Sequence, residues 1–171
     1  KEKHWWMDNT KEGCTAYNNQ CVNPDCLFKG NRIHGSKMEN GTHTSRKDTP
    51  IYCEKCGKLL PRPTVIDKKT GIRRLIKGYD TAYRRMEWDK PAPTLTQNFL
   101  FEASDKKVHP SQTRVLSIYE ALVLQTIAEY DFRMMIDGKY ISKNLCAEVI
   151  GESVPPRLIE IICKQIKKIS I

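Results

Sequence analysis

Apolar residues near the C-terminal end of the chain recur at helical spacing. They follow one another every three or four positions, as Leu158, Ile159, Ile162, Ile166 and Ile169. This spacing predicts a helix with a single apolar face, which requires a partner surface. The helix is predicted to start within residues 153–156, Ser-Val-Pro-Pro, because a proline in the first turn has no N–H group to leave unpaired.

Two further helices are predicted upstream from their end signals. Ser117 and Glu120 have the spacing of a capping box, in which each side chain accepts a hydrogen bond from the backbone N–H of the other residue. The apolar face that follows consists of Leu122, Leu124 and Ile127. A second helix is predicted over residues 142–150 and is expected to stop at Gly151, since glycine is common just after a helix end.

Short strands are predicted earlier in the chain. Residues 64–66 and 72–76 are β-prone runs, and the Asp-Lys-Lys-Thr-Gly segment between them, residues 67–71, is typical of a turn. Residues 1–63 are rich in Cys, Asn, Gly and Lys and have few aliphatic runs, so they cannot build a conventional core. The pattern predicts an α+β fold, in which a small irregular lobe with short strands precedes a small helical region.

The composition excludes a membrane-spanning helix. Only 39% of the 171 residues are hydrophobic, and no run of about 18 apolar residues occurs. Residues 1–6, Lys-Glu-Lys-His-Trp-Trp, lack the apolar stretch of a signal peptide. Seven cysteines without a secretory signal favour a reducing compartment. We therefore expect a cytoplasmic location and no membrane partner.

The positive charge is concentrated in the N-terminal half. The chain has a net charge of +9, of which residues 1–80 carry +7 and residues 81–171 carry +2. An electropositive half suits a polyanionic partner such as nucleic acid, because neutralised phosphates release their counterions. A solvated basic surface explains the same charge equally well.

Two cysteine pairs have the spacing of a structural zinc site. Cys21 and Cys26 form one pair and Cys53 and Cys56 form the other, with Gly57 completing a typical knuckle. Two such turns facing each other give four thiolates in a tetrahedron, and zinc would supply folding free energy that this core-poor segment lacks. The predicted lobe is thus a zinc ribbon. Cys14 is an alternative ligand that could replace Cys21 or Cys26.

The remaining cysteines, Cys146 and Cys163, fall in the helical region and are expected to be small core residues.

Three collinear segments of the chain match the motifs of a known family. Residues 82–96 read Ala-Tyr-Arg-Arg-Met-Glu-Trp-Asp-Lys-Pro-Ala-Pro-Thr-Leu-Thr. They resemble the ninth motif of the DNA cytosine-5 methyltransferases, in which Tyr-x-Arg leads to Pro-x-Pro-Thr-Leu-Thr. Residues 109–125 follow with His-Pro, Arg-Val-Leu-Ser, Glu-Ala-Leu and Leu-Gln in the family's order. Residues 150–156, Ile-Gly-Glu-Ser-Val-Pro-Pro, resemble the tenth motif, usually Gly-Asn-Ala/Ser-Val followed by Pro.

The resemblance implies a C-terminal fragment of a two-domain α/β methyltransferase. Residues 1–81 would be its target-recognition region, and residues 82–171 would carry motifs nine and ten and dock on the catalytic domain. The family attacks C6 of a flipped cytosine with a cysteine thiolate, and C5 then takes a methyl group from S-adenosylmethionine. The Pro-Cys, Glu-Asn-Val and G-x-G-x-x-G motifs for that chemistry do not occur in this sequence, so no catalytic residue is assigned. Without the catalytic part we expect no methylation.

The resemblance and the charge together predict the site residues. Contacts to double-stranded DNA are expected from basic residues of the recognition region and from motif nine: Arg62, Lys68, Lys69, Arg73, Arg74, Lys77, Tyr83, Arg84, Arg85 and Thr94. The motif-ten residues Glu152, Ser153 and Val154 would border S-adenosylmethionine once the catalytic part is present. Glu152 departs from the family's Asn, and its carboxylate would repel that of the cofactor.

The expected protein partner is the N-terminal catalytic half, either a separate subunit or the missing part of a longer chain. The alternative function is a stand-alone zinc-ribbon DNA-binding transcriptional regulator with helices at 117–127 and 142–150. Its recognition region would be nearly neutral, which argues against it. A metal-dependent nuclease ranks last, because a clustered set of carboxylates or histidines with metal spacing is missing from the sequence.

Overall fold

The computed structural model describes residues 2–33, 38–39, 42–43, 49–79, 81–104 and 106–169. The predicted α+β class is confirmed, since the chain combines short strands with helices. The helices are α1 (Glu2–Asp8), α2 (Ile118–Leu124), α3 (Lys143–Glu152) and α4 (Pro156–Ile169). The strands are β1 (Met38–Glu39), β2 (Thr42–His43), β3 (Thr64–Ile66), β4 (Arg73–Leu75), β5 (Met135–Ile136) and β6 (Lys139–Tyr140). They form three separate antiparallel pairs, β1–β2, β3–β4 and β5–β6.

The chain divides into two compact units. The first comprises Lys1–Pro91 and Glu102–Val115, and the second comprises Ala92–Phe101 and Leu116–Ile171. The predicted boundary between residues 81 and 82 does not separate these units, because the start of the motif-nine segment pairs with the N-terminal residues. Ala16 N donates to Tyr83 O over 3.0 Å, and Arg85 N donates to Cys14 O over 3.1 Å.

The core of the first unit is built around aromatic residues from distant parts of the sequence. The ring of Tyr83 meets Trp6 edge-on with centroids 5.2 Å apart, and Tyr17 with centroids 5.8 Å apart. Met7 and Val108 pack in the same buried cluster. Such edge-to-face pairs contribute about 0.5–1.5 kcal/mol beyond the burial of their area.

The predicted ribbon at residues 64–76 is confirmed as β3–β4. Thr64 pairs with Leu75, Val65 with Arg74, and Ile66 with Arg73. In the connecting turn, the Asp67 carboxylate accepts hydrogen bonds from the N–H groups of residues 69 and 70. Gly71 closes this turn at φ +69°, a conformation that glycine adopts without steric cost.

The predicted starts of α2, α3 and α4 in the second unit are confirmed. Ser117 caps α2, and both hydrogen bonds of the capping box with Glu120 are present. Ser142 caps α3 by accepting from Leu145 N. Helix α4 begins at Pro156 as predicted, and none of its described residues is buried.

The predicted stop at Gly151 was wrong, because α3 continues to Glu152. The glycine serves close packing instead. A Cβ at this position would lie 2.3 Å from Gln97 N, so only glycine allows this approach of α3 to residues 96–97.

Helix α1 and the β5–β6 hairpin were not predicted. Helix α1 is too short to show helical periodicity. The hairpin turns at Asp137 and Gly138, both with positive φ, and this Asp-Gly pair was the available signal. Among the described residues, no helix has the length and apolar character needed to cross a membrane.

Candidate metal centre and nucleic-acid interface

The four predicted zinc ligands lie together in the first unit. The sulfur atoms of Cys21, Cys26, Cys53 and Cys56 are all within 4.8 Å of one another. Cys21 Sγ is 3.6 Å from Cys56 Sγ, and Cys26 Sγ is 3.9 Å from Cys53 Sγ. Four sulfurs at these separations can surround one ion tetrahedrally, and four thiolates are a donor set that zinc prefers.

Backbone hydrogen bonds shape the second cysteine turn, residues 53–57, and affect the ionisation of the Cys53 thiol. Gly57 lies at φ +69° and its N–H donates to Cys53 O over 2.8 Å, which closes the turn. Burial opposes ionisation of Cys53, but the N–H groups of Cys56 and Lys55 outweigh it and lower the pKa of that thiol to about 6. Burial raises the pKa of Cys21 to about 11. Thiolates gathered this closely repel one another, and a bound cation would stabilise their negative charge.

Asn31 and Arg32 connect the two knuckles. Asn31 Oδ1 accepts from Glu54 N over 2.7 Å, while Asn31 Nδ2 donates to Phe28 O over 3.3 Å. Arg32 Nε forms an ion pair of 3.0 Å with Glu54 Oε1 and holds the pKa of that carboxyl below its usual range. Sequence analysis missed Asn31, since nothing in a single sequence marks an asparagine as a bridge between two turns.

The other cysteines lie outside this cluster. Cys14 is exposed and its sulfur is not among the clustered atoms of the described residues. Cys146 is buried in α3, as expected of a core residue. Cys163 is exposed on α4, so its expected place in a core was wrong.

Arg62 is part of the interior, which contradicts its predicted role as a DNA contact. It is 2% exposed, and its guanidinium donates to Asn19 O over 3.0 Å and to Pro50 O over 2.5 Å. Burial lowers its pKa to about 10. Its hydrogen bonds tie the end of the cysteine-rich segment to the core rather than to a ligand.

The cations of the β3–β4 ribbon differ in accessibility. Four are exposed, namely Lys68, Lys69, Arg74 and Lys77. Arg73 is half-buried, and its Nη1 donates to Thr64 Oγ1 over 3.0 Å. The ribbon therefore presents a dense positive surface.

Arg85 of the motif-nine segment is a buried hub. Its guanidinium donates to the main-chain oxygens of Met7, Thr10, His109 and Gln112 over 2.6–2.7 Å. Tyr83 is also buried, with a pKa raised by burial and by the charge of Glu102. These two residues anchor the first unit internally, and neither offers a free surface for the DNA contact predicted for it. Arg84 is half-buried and Thr94 is exposed.

Residues 150–154 are held from two sides in the second unit. Gln125, which is buried, donates from Nε2 to Ile150 O over 3.0 Å. Gln97 Nε2 donates to Glu152 Oε1 over 2.6 Å, so the carboxylate is drawn toward residue 97. Ser153 Oγ donates to Ile150 O over 2.7 Å, while Val154 is 58% exposed.

Almost the whole chain matches one protein family. The model of the C-5 cytosine-specific DNA methylases covers residues 9–168. The chain belongs to this family. The sequence resemblance is thereby confirmed at the level of the DNA methylase family, and the alternative of a stand-alone regulator is not favoured.

Two curated relatives of the chain are named as a type II methyltransferase and a type II methylase. Type II methyltransferase M1.HgaI of Avibacterium volantium is 37% identical over 100 residues, which are 53% of this chain and 27% of that relative. Type II methylase M.HgiDII of Herpetosiphon aurantiacus is 36% identical over 92 residues, which are 54% of this chain and 25% of that relative. The chain thus spans about a quarter of the length of these two methylases.

A third relative is itself short. Type II methyltransferase M.AquIB of Picosynechococcus sp. is 28% identical over 97 residues, which are 54% of this chain and 67% of that relative. No solved structure matches the chain.

Proposed function

We propose that this DNA methylase chain is the C-terminal, target-reading half of a DNA (cytosine-5-)-methyltransferase. The observation that carries the proposal is the match to only about a quarter of two curated methylases, together with the order of the motif-nine and motif-ten residues. Its sequence has none of the Pro-Cys, Glu-Asn-Val or G-x-G-x-x-G motifs. The thiolate nucleophile would come from a catalytic half.

Double-stranded DNA would lie against the first unit. The exposed cations Lys68, Lys69, Arg74 and Lys77 supply the phosphate and base contacts, with Arg73 beside them. Arg84 and Thr94 remain proposed contacts near the flipped base. Arg62 and Arg85 act as internal anchors of the recognition lobe, because both are buried and donate to main-chain oxygens.

A structural zinc ion would occupy the cluster of Cys21, Cys26, Cys53 and Cys56. Two observations support this ion. The sulfurs lie close to one another, and the described residues packed around them form a small cluster in which Leu60 is fully buried. A closed four-thiolate site has no open position for water or substrate, so this ion would stabilise the lobe rather than take part in the reaction.

S-adenosylmethionine would supply the methyl group only when the catalytic half is present. The exposed Val154 side chain and the neighbouring Ser153 fit the border of such a site. Glu152 fits less directly, because Gln97 binds its carboxylate and thereby keeps the negative charge away from an anionic end of the cofactor.

The catalytic half would dock on α4. The apolar side of this helix is exposed, with Ile159 at 45% and Ile162 at 43% exposure, and its polar side carries lysines. The short length of the relative M.AquIB supports a half that is encoded as a chain of its own. If both halves belong to one longer polypeptide instead, the catalytic part would contact the same apolar side of α4.

The proposal is tested by gentle purification of the tagged chain from its native host, followed by mass spectrometry. We expect Pro-Cys and Glu-Asn-Val motifs in stoichiometric amount, on a partner chain or on a longer form of the same polypeptide. A self-contained dimer that binds one DNA site with no such motifs would contradict the proposal and favour the regulator.

A further inference from the structure

The two faces of the β3–β4 ribbon carry different side chains. Paired residues of an antiparallel ribbon share a face, and the faces alternate along each strand. Thr64, Leu75, Arg73 and Ile66 therefore share one face, here called the inner face. On it Leu75 is buried and Arg73 bonds to Thr64, while Ile66 next to the turn is 50% exposed. Val65 and Arg74 share the outer face.

Ile72 extends the outer face toward the turn. The hydrogen bond of 2.9 Å from Asp67 N to Ile72 O continues the ladder by one pair, so Ile72 lies on the same side as Arg74. Ile72 is 65% exposed and Val65 is 39% exposed. The outer face thus presents two partly exposed apolar side chains next to Arg74, with Asp67 paired opposite Ile72.

Charge decides which partner suits this face. The ribbon carries Lys68, Lys69, Arg73, Arg74 and Lys77 but only one acidic residue, Asp67. The Asp67 carboxylate is occupied by the N–H groups of the turn, which lower its pKa. A polyanion is therefore the complementary partner, and a two-stranded ribbon has the size that the major groove of DNA admits.

The ribbon is tied at both ends by backbone hydrogen bonds. At its tip, Gly71 N donates to Asp67 O over 2.8 Å, and at its base Ile76 N donates to Pro63 O over 2.9 Å. The buried Arg62 fixes the point where the ribbon leaves the core. Side chains on a supported element hold their geometry better than those on a loop.

We propose that the outer face of this ribbon, formed by Val65, Ile72 and Arg74, determines sequence specificity by reading a guanine and adjacent thymine methyl groups in the major groove. The guanidinium of Arg74 matches the two acceptors of guanine, O6 and N7. Apolar side chains match the C5-methyl group of thymine. The inference rests on the proposed function, which makes duplex DNA the partner, and it assigns the reading residues and the bases.

The test uses the complete enzyme, comprising this chain and its catalytic half, and selects bound duplexes from a random pool. The first variant is Arg74→Lys, which keeps the positive charge but loses the two parallel N–H donors of the guanidinium. The second variant is Ile72→Ser. Ile33→Ser is the matched control, because Ile33 is 54% exposed in the same unit but lies outside the ribbon.

We expect the wild-type enzyme to select sites with a guanine next to thymine. Arg74→Lys should lower the preference for that guanine by about five- to 150-fold, the range for one bidentate contact. Replacing the selected thymine by uracil should weaken wild-type binding about fourfold, the value of one buried methyl group, and should not affect Ile72→Ser. Ile33→Ser should select the wild-type sites.

Three results would overturn the inference. Selection of unchanged sites by both ribbon variants would exclude base reading by this face. Loss of the catalytic half from Ile72→Ser, with unchanged sequence preference in the enzyme that remains, would make the face a protein interface. A wild-type enzyme that selects no sequence at all would overturn the proposed function and, with it, this inference.

Discussion

Single arginines show how far residue type alone can mislead. Arg62 and Arg85 look like DNA contacts in the sequence because a cation in a basic segment suits phosphates. In the structure both are buried and donate to main-chain oxygens. The partners of Arg85 include Met7 and His109, which are distant in sequence, so no local pattern could have revealed them.

Arg85→Lys is therefore expected to destabilise the chain. A lysine cannot replace the four hydrogen bonds of the guanidinium, and each lost bond to a charged group costs about 1.5–3 kcal/mol. Because a lysine restores some of them, we predict a loss of about 3–5 kcal/mol in the free energy of unfolding, measured by urea denaturation. The exposed Arg74→Lys should change it by less than about 0.5 kcal/mol. Equal stability of both variants would show that the hub contributes nothing.

At the scale of elements, local chemistry was predictable and long-range pairing was not. The turn at 67–71 and the Ser117 capping box were readable because all their partners lie within a few residues. The extension of α3 through Gly151 depends on Gln97, which is far away in sequence, and was therefore missed. The cysteine cluster was predicted because knuckle spacing reports local geometry, while the Asn31 bridge between its turns was not.

The cysteine cluster makes a direct prediction about metal content. The purified chain should carry one zinc per molecule, and its removal by a chelator should unfold the cysteine-rich segment, because such sites contribute about 10–16 kcal/mol of binding energy. Cys21→Ser should lose the metal, as measured by atomic absorption. Cys14→Ser is the control, since Cys14 lies outside the cluster.

Full zinc content in Cys21→Ser, or loss of zinc in Cys14→Ser, would contradict this assignment of ligands.

At the scale of the whole molecule, the exposed α4 is the surface on which we propose that a partner docks. Its apolar stripe was visible in the sequence, whereas the surface that would cover it could not be read from these 171 residues. The division into compact units was also hidden, since it depends on pairing between residues 14–16 and 83–85.

The α4 stripe predicts a selective defect in association. Ile162→Gln should weaken binding of the catalytic half by about tenfold or more, because burial of an isoleucine contributes about 1.5–3 kcal/mol. Lys167→Gln, on the polar side of the same helix, should bind within about threefold of wild type. Both variants should unfold like the wild type, since neither side chain is buried. Titration calorimetry measures the affinities, and equal effects of the two substitutions would exclude docking through the stripe.

The most direct test of the central claim is methyl transfer from radiolabelled S-adenosylmethionine to duplex DNA. We expect no incorporation by this chain alone, none by the catalytic half alone, and incorporation when the two are combined. Sequence-specific methylation by the 171 residues alone would contradict the proposed function, because it would require a nucleophile and a cofactor loop that we assign to the other half.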